Sequence, residues 1–177
     1  MIEKTLEIIL KGIKEDRSLD DMQKTDVLKD WKVWNGKYFK ELDSDTWILM
    51  IYANIIKNYK LSASEKLAEL IEKSGMENSK SELRKMMLNN SKYYFLEREF
   101  NLLGYQLMNS GKLKDAIEVF KLTVEMYPNS WNTYDSLGEA YMNNGDKELA
   151  IENYERSFKM NPNNTNATQQ LEKLKKQ

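Results

Sequence analysis

The sequence predicts an all-α protein, with an internal repeat in the C-terminal half and an irregular helical N-terminal half. Three observations predict it. Helix breakers are scarce, with two Pro and seven Gly in 177 residues, against a usual Pro content of ~5%. Apolar residues recur at helical spacing from the first residues onward. An internal repeat of period 34 orders the second half: Pro128 and Pro162, Gly104 and Gly138, Gly111 and Gly145, Ala116 and Ala150 all lie 34 apart.

The elements follow in chain order. Ile2, Leu6, Ile9, Leu10 and Ile13 form one stripe, which predicts a helix over 2–15. Ser18-Leu19-Asp20-Asp21 is similar to a capping box and opens a short helix near 18–30. Trp31, Trp34, Tyr38 and Phe39 surround the turn signal Asn35-Gly36. Asp43 or Ser44 caps a third helix carrying Trp47, Ile48, Ile51, Tyr52, Ile55 and Ile56. That helix is apolar on most sides and is predicted to be buried. Ser64 to Ser74 reads as another helix, closed by Gly75, and Ser81 to Asn89 follows with Leu83, Met86 and Met87. Tyr93, Tyr94 and Phe95 lead into the repeats. Domain boundaries fall accordingly at 1–90 and 91–177.

The two repeat units are 97–130 and 131–164, identical at 11 positions. The first reads Phe100, Leu103, Gly104, Leu107, Ala116, Phe120, Pro128, and the second Tyr134, Leu137, Gly138, Tyr141, Ala150, Tyr154, Pro162. This pattern at this period resembles the tetratricopeptide repeat (TPR) family. The resemblance implies a right-handed solenoid of paired helices A and B. It implies that Gly104 and Gly138 admit close approach of helix B, with Ala116 and Ala150 as the small partners. Phe120 and Tyr154 are expected to fill the space between neighbouring hairpins. Thr123 and Ser157 stand where the family usually has Ala. Gly111 and Gly145 suit left-handed caps, and Pro128 and Pro162 stop helix B. Residues 165–177, with Thr165 as N-cap and Leu171 and Leu174 as a thin apolar stripe, predict a solvating cap helix. Two units are fewer than the ~3 a stable array wants, so the N-terminal half is expected to contribute core.

A second resemblance covers 13–56. Ser18-Leu19-Asp20-Asp21, the aromatic stretch Trp31 to Phe39, and Thr46 to Ile56 with Tyr52 resemble the C-terminal tail of metallo-β-lactamase-fold hydrolases. Residues 93–177 also look like TPR tails appended to bacterial hydrolases. These resemblances imply an accessory or dimerisation region whose catalytic domain is absent from this chain, with a homodimer contact through the aromatic segment 31–52.

Composition removes much chemistry. With no His and no Cys there is no imidazole base, thiolate nucleophile or zinc finger. No metal site and no cofactor are expected. Ser-x-x-Lys, Gly-x-Ser-x-Gly and the P-loop are all absent, and Asp43-Ser-Asp45 is too short for a calcium loop. The 27 basic and 28 acidic residues leave a net charge of −1, which argues against nucleic acid as partner. The longest apolar run, Trp47 to Ala53, is far short of the ~20 residues of a membrane span. No signal peptide is evident at Met1-Ile2-Glu3-Lys4, so a cytoplasmic location is expected. Richness in Lys, Asn and Ile is that of proteins from AT-rich bacterial genomes.

What remains is a binding surface. The TPR resemblance implies a concave face lined by helix A side chains: Asn101, Tyr105, Met108 and Asn109 in the first unit, Asp135, Glu139, Met142 and Asn143 in the second. Asp135 and Glu139 would repel a terminal carboxylate, so a basic or mixed peptide, or the chain's own N-terminal helices, fits better. The expected function is a non-enzymatic protein–protein interaction module or scaffold. Its first expected signature is that Asp135→Lys with Glu139→Lys weakens partner binding without unfolding the chain. The same helix A residues equally suit a plain solvated surface, and Met108, Met142 and Tyr105 suit packing against neighbouring helices. An enzyme would need Asp, Glu, Lys or Tyr chemistry in an interhelical pocket, and nothing in the sequence marks one.

Overall fold

The computed structural model describes residues 2–15, 17, 50–53, 55–57, 60–88 and 91–176, which are mostly helical. They fall into two compact units, one within Met1–Lys66 and Ser81–Tyr94, the other within Leu67–Lys80 and Phe95–Gln177.

In the first unit, helix α1 (Ile2–Lys14) forms on the predicted stripe, with Ile9 and Ile13 buried. Lys11 and Lys14 occupy its last turn, where cations complement the helix dipole. Residues 50–53 and 55–56 are helical. In the described part of the helix predicted to be buried, Ile56 is buried, Ile51, Tyr52 and Ile55 are half-buried, and Met50 is half exposed. The rest of that helix, the capping box at Ser18, the Asn35-Gly36 turn, and nearly all of the hydrolase-tail and dimerisation segments lie outside the described residues.

The first unit adds one short strand pair to its helices. Strands β1 (Leu61–Ser62) and β2 (Tyr93–Tyr94) pair in parallel, Leu61 opposite Tyr93 and Ser62 opposite Tyr94. A two-residue ladder leaves no period to read, although Tyr93-Tyr94 has strand-forming side chains. Ser62 then caps helix α2 (Ala63–Leu88), its Oγ accepting the Glu65 N–H at 3.2 Å. Ser62-Ala63-Ser64-Glu65 is thus a capping-box sequence, which starts the helix slightly ahead of the predicted Ser64.

Gly75 interrupts α2 with φ 77° and ψ 168°. The break falls at the predicted residue, but the helix resumes at once rather than at Ser81. Asn78 Nδ2 donates to the Ser74 carbonyl at 2.8 Å and Ser79 Oγ to the Gly75 carbonyl at 2.7 Å. These side chains satisfy carbonyls at the break and so carry the helix across it.

The second unit is built on the 34-residue repeat. Its helices are α3 (Glu97–Asn109), α4 (Leu113–Met126), α5 (Trp131–Asn144), α6 (Lys147–Met160) and α7 (Thr165–Lys176). α3 packs on α4 and α5 on α6 as two hairpins, while α4 packs on α5 and α6 on α7. Gly111 and Gly145 take the expected left-handed conformation, with φ 79° and 85°. α4 and α6 end at Met126 and Met160, each two residues before its proline.

The close approach at Gly104 and Gly138 has a different partner from the expected one. A Cβ on Gly104 would lie 2.5 Å from Phe120 Cε1, and one on Gly138 would lie 3.1 Å from the Tyr154 ring. The aromatic of helix B, not Ala116 or Ala150, covers each glycine, and it does so within its own hairpin. Phe120 therefore does not simply fill a gap between hairpins. Its ring also meets Tyr105 edge-on, with centroids 5.2 Å apart. Ala116 and Ala150 are fully buried. Thr123 is buried too, and its hydroxyl donates to the Val119 carbonyl at 2.8 Å, so no polar group is stranded.

α7 caps this unit as expected, with Ala167 and Leu174 buried against Ala150 and Tyr154, and Tyr141, Met142, Ile151 and Leu171 around them. Its N-cap is Asn164 rather than Thr165: Asn164 Oδ1 accepts the Ala167 N–H at 3.2 Å. Asn is among the strongest N-cap residues.

One ion cluster joins the 67–80 stretch of α2 to α4. Lys80 lies 2.6 Å from Glu118 and 2.8 Å from Glu77, and Lys121 lies 2.7 Å from Glu118. Burial alone would raise the Glu118 carboxyl, but hydrogen bonds from Lys121 and Lys80 outweigh it and hold the group below its ordinary range. Hydrogen bonds to Glu118 raise both lysines. A lowered carboxyl stabilises the fold above its unfolded pKa, and that contribution is lost as pH falls through the folded value. Glu118→Gln is therefore expected to cost about 1 kcal/mol at pH 7. The gap between wild type and variant should close in acid, read by urea unfolding at pH 7 and pH 3. A gap that stays constant with pH would show that the ion pairs contribute nothing.

Candidate functional site

The eight predicted face residues sit on α3 and α5, and the 34-residue register places them at matched positions. Asn109 and Asn143 are exposed, Asn101, Tyr105, Met108, Glu139 and Met142 are half-buried, and Asp135 is buried, 9% exposed.

Two contacts bring the two helices together. The Tyr105 hydroxyl donates to Glu139 Oε2 at 2.8 Å and lies 3.3 Å from Ser136 Oγ. Asn143 Nδ2 donates to the Met108 sulfur at 3.2 Å. Burial drives the Tyr105 phenol upward. The Ser136 hydrogen bond opposes this, the Glu139 carboxylate adds to it, and the net shift is far above the ordinary range. Tyr105 is therefore a neutral donor at any physiological pH, which suits a fixed bond to a carboxylate.

Asp135 has a different task from the one expected of it. Asn164 Nδ2 donates to its Oδ1 at 2.7 Å and Asn166 Nδ2 to its Oδ2 at 2.8 Å. Asn164 Nδ2 also reaches Ser157 Oγ at 2.9 Å. Asp135 thus anchors the segment that enters α7, and Met142 packs against the same helix's core. Asp135→Lys would strand two amides, so the double lysine substitution is not a clean test of binding: its first effect is on folding.

The anchor repeats. Ser130 Oγ and Asn132 Nδ2 donate to Glu97 Oε1 at 2.9 and 3.2 Å, and Asn164 and Asn166 stand 34 residues later. In each case a polar pair opening one unit clasps a carboxylate on the preceding helix A. Asn164 and Asn166 lie outside helix A, from which the face positions were read, while Ser136 lies on α5 beside Asp135, at a position that reading passed over. The donors recur 34 residues apart, but the carboxylates they clasp, Glu97 and Asp135, lie 38 apart and so off that register.

Asp135 and Glu139 both receive neutral donors. Two oxygens near this face are buried with no hydrogen-bond partner: Asn101 Oδ1 and the Tyr154 hydroxyl. Burial raises the Tyr154 phenol far above its ordinary range, and the charges of Glu139 and Asp135 add to the rise. Its hydroxyl therefore lies in the field of the same carboxylates. Among the described residues, no three Asp or Glu side chains gather as a metal site. No helix among them is long and apolar enough to cross a membrane. In chemical terms the accessible part of the face offers one half-buried carboxylate, Glu139, beside the exposed amides of Asn109 and Asn143.

A tetratricopeptide repeat family model matches residues 132–164. The match takes in α5, α6 and Asn164, the hairpin whose glycine lies under Tyr154. No curated protein matches the chain. The repeat match supports a protein of the tetratricopeptide type, and such repeats point to protein–protein interaction.

Proposed function

We propose that the chain is a non-enzymatic protein–protein interaction module or scaffold that takes a peptide or protein segment on the concave face of α3 and α5. The observation that carries this reading is the row of polar side chains running from one helix to the other. Tyr105 meets Glu139 and Met108 meets Asn143, while Asn109 and Asn143 stay exposed beside them. A surface whose members already hold one another in place loses little side-chain entropy on binding. The reading requires no cofactor and no metal.

The test uses the exposed members, whose replacement leaves the core alone. Asn109→Arg with Asn143→Arg is expected to weaken a bound partner about tenfold or more, measured by calorimetry, with the melting temperature nearly unchanged. Glu152→Arg, an exposed change on α6, serves as control. A partner that binds the double variant as tightly as the wild type would sink the concave-face reading.

A further inference from the structure

We propose that Asn144 is a self-modifying residue. Attack by the Gly145 main-chain nitrogen expels its side-chain amide as ammonia and leaves aspartate and isoaspartate in the turn of the second hairpin. The inference stands apart from the peptide-binding reading and needs no partner, metal or cofactor.

The sequence supplies the reacting pair. Asn-Gly occurs twice, at Asn35-Gly36 and Asn144-Gly145, and the first pair lies outside the described residues. Asn is among the thermolabile side chains. Glycine hinders attack least, because it has no Cβ and reaches backbone angles closed to other residues.

The structure leaves the pair open. Asn144 is exposed and is the last residue of α5. A Cβ built on Gly145 would meet nothing within 4 Å, so no neighbouring group crowds the turn. Asn144 Nδ2 donates to Asp146 Oδ2 at 2.6 Å, which draws the side chain forward past Gly145. The Gly145 N–H donates to the Met142 carbonyl at 3.1 Å, three residues back. Bonds of that span have poorer geometry, and helix ends fray. Helical angles at Asn144 turn the Gly145 nitrogen away from Cγ. The reaction therefore runs through local opening of this one turn, which frees the nitrogen and lets the chain rotate at Asn144.

The step balances. A bond forms between the Gly145 nitrogen and Asn144 Cγ, the Cγ–Nδ2 bond breaks, and the Gly145 N–H proton leaves with Nδ2 as ammonia. Water then opens the cyclic imide. Opening at the side-chain carbonyl gives aspartate, and opening at the main-chain carbonyl gives isoaspartate. Either acid replaces an amide donor by a carboxylate beside Asp146, at a helix C-terminus that disfavours negative charge. Isoaspartate also adds a main-chain carbon to the turn joining α5 to α6.

The first hairpin supplies the control. Ser110 and Gly111 stand 34 residues earlier, with Gly111 in the same left-handed conformation at φ 79°, and Ser110 carries no amide. Asn144→Ser copies that turn and is compatible with folding.

The test holds the full-length protein in mildly alkaline native buffer at body temperature and samples it over days. The tryptic peptide 122–147 is read by fragmentation that separates aspartate from isoaspartate. Both acids are expected to accumulate at 144 while Asn129, Asn132 and Asn143 stay amides. The matching acidic form on ion exchange should be missing from Asn144→Ser. Amide exchange across 141–150 in the purified aged form should be about tenfold faster than in fresh protein, from a lost hydrogen bond and an unfavourable charge. Conversion at Asn35 with Asn144 intact would overturn the proposal. So would an Asn144 that converts only in urea, because the folded turn would then protect it. Equal conversion of Asn143 and Asn144 would overturn it too, by removing the part assigned to Gly145.

Discussion

Phe120→Ala is expected to lower the unfolding free energy by about 4 kcal/mol. Its ring is fully buried, lies over Gly104 and meets Tyr105 edge-on, so truncation opens a cavity at the centre of the first hairpin. Gly104→Ala should cost about 2 kcal/mol by the opposite route. Helix propensity alone would make the change favourable by about 1 kcal/mol. A methyl carbon 2.5 Å from Phe120 Cε1 forces the ring to move inside a closed core, and overpacking of this kind costs about 3 kcal/mol. The two substitutions should not add. With Phe120 gone the methyl group has room, so Gly104→Ala in the Phe120→Ala background should be neutral or stabilising. A double-mutant cycle by urea denaturation reads the coupling, expected near 2–3 kcal/mol. Simple additivity would show that the glycine is not there for the ring.

Asp135→Ala is expected to cost about 3 kcal/mol, because it removes two charge-assisted hydrogen bonds and strands the amides of Asn164 and Asn166. The loss should be local. Amide exchange should speed up first in α7, Thr165–Lys176, and last in the α3–α4 hairpin. Asp135→Asn keeps one acceptor and should cost less than half as much. Uniform loss of protection across 97–176 would instead make Asp135 a general packing residue rather than an anchor for α7.

The 34-residue repeat makes the helices of the second unit legible in the sequence. Helix ends followed from Gly111, Gly145, Pro128 and Pro162, because these residues act through their own backbone and need no knowledge of neighbours. The partner of Gly104 did not follow. A glycine announces that something comes close, but whether that is Ala116 or Phe120 depends on how the helices cross, which no local pattern encodes. The same limit applied to the face. Position on helix A was readable for all eight residues, yet the burial of Asp135 depends on side chains 29 and 31 residues further on. In the first unit the difficulty was size. A two-residue ladder at Leu61–Ser62 and Tyr93–Tyr94 has no periodicity to recognise. The resumption of α2 straight after Gly75 turns on Asn78 and Ser79 bonding back to the break.

The two hairpins share a register but differ in slack. At position 138 the aromatic ring stands back at 3.1 Å, where it stands at 2.5 Å from position 104. A methyl group at 138 therefore asks the Tyr154 ring to give by a few tenths of an ångström, whereas at 104 the Phe120 ring must move outright. An engineer building a longer array by copying one unit would do better to copy 131–164. That template comes closer to accepting alanine, the strongest helix former, because its ring need shift less. The tighter hairpin gives the more uniquely packed core, and the looser one the more reusable part.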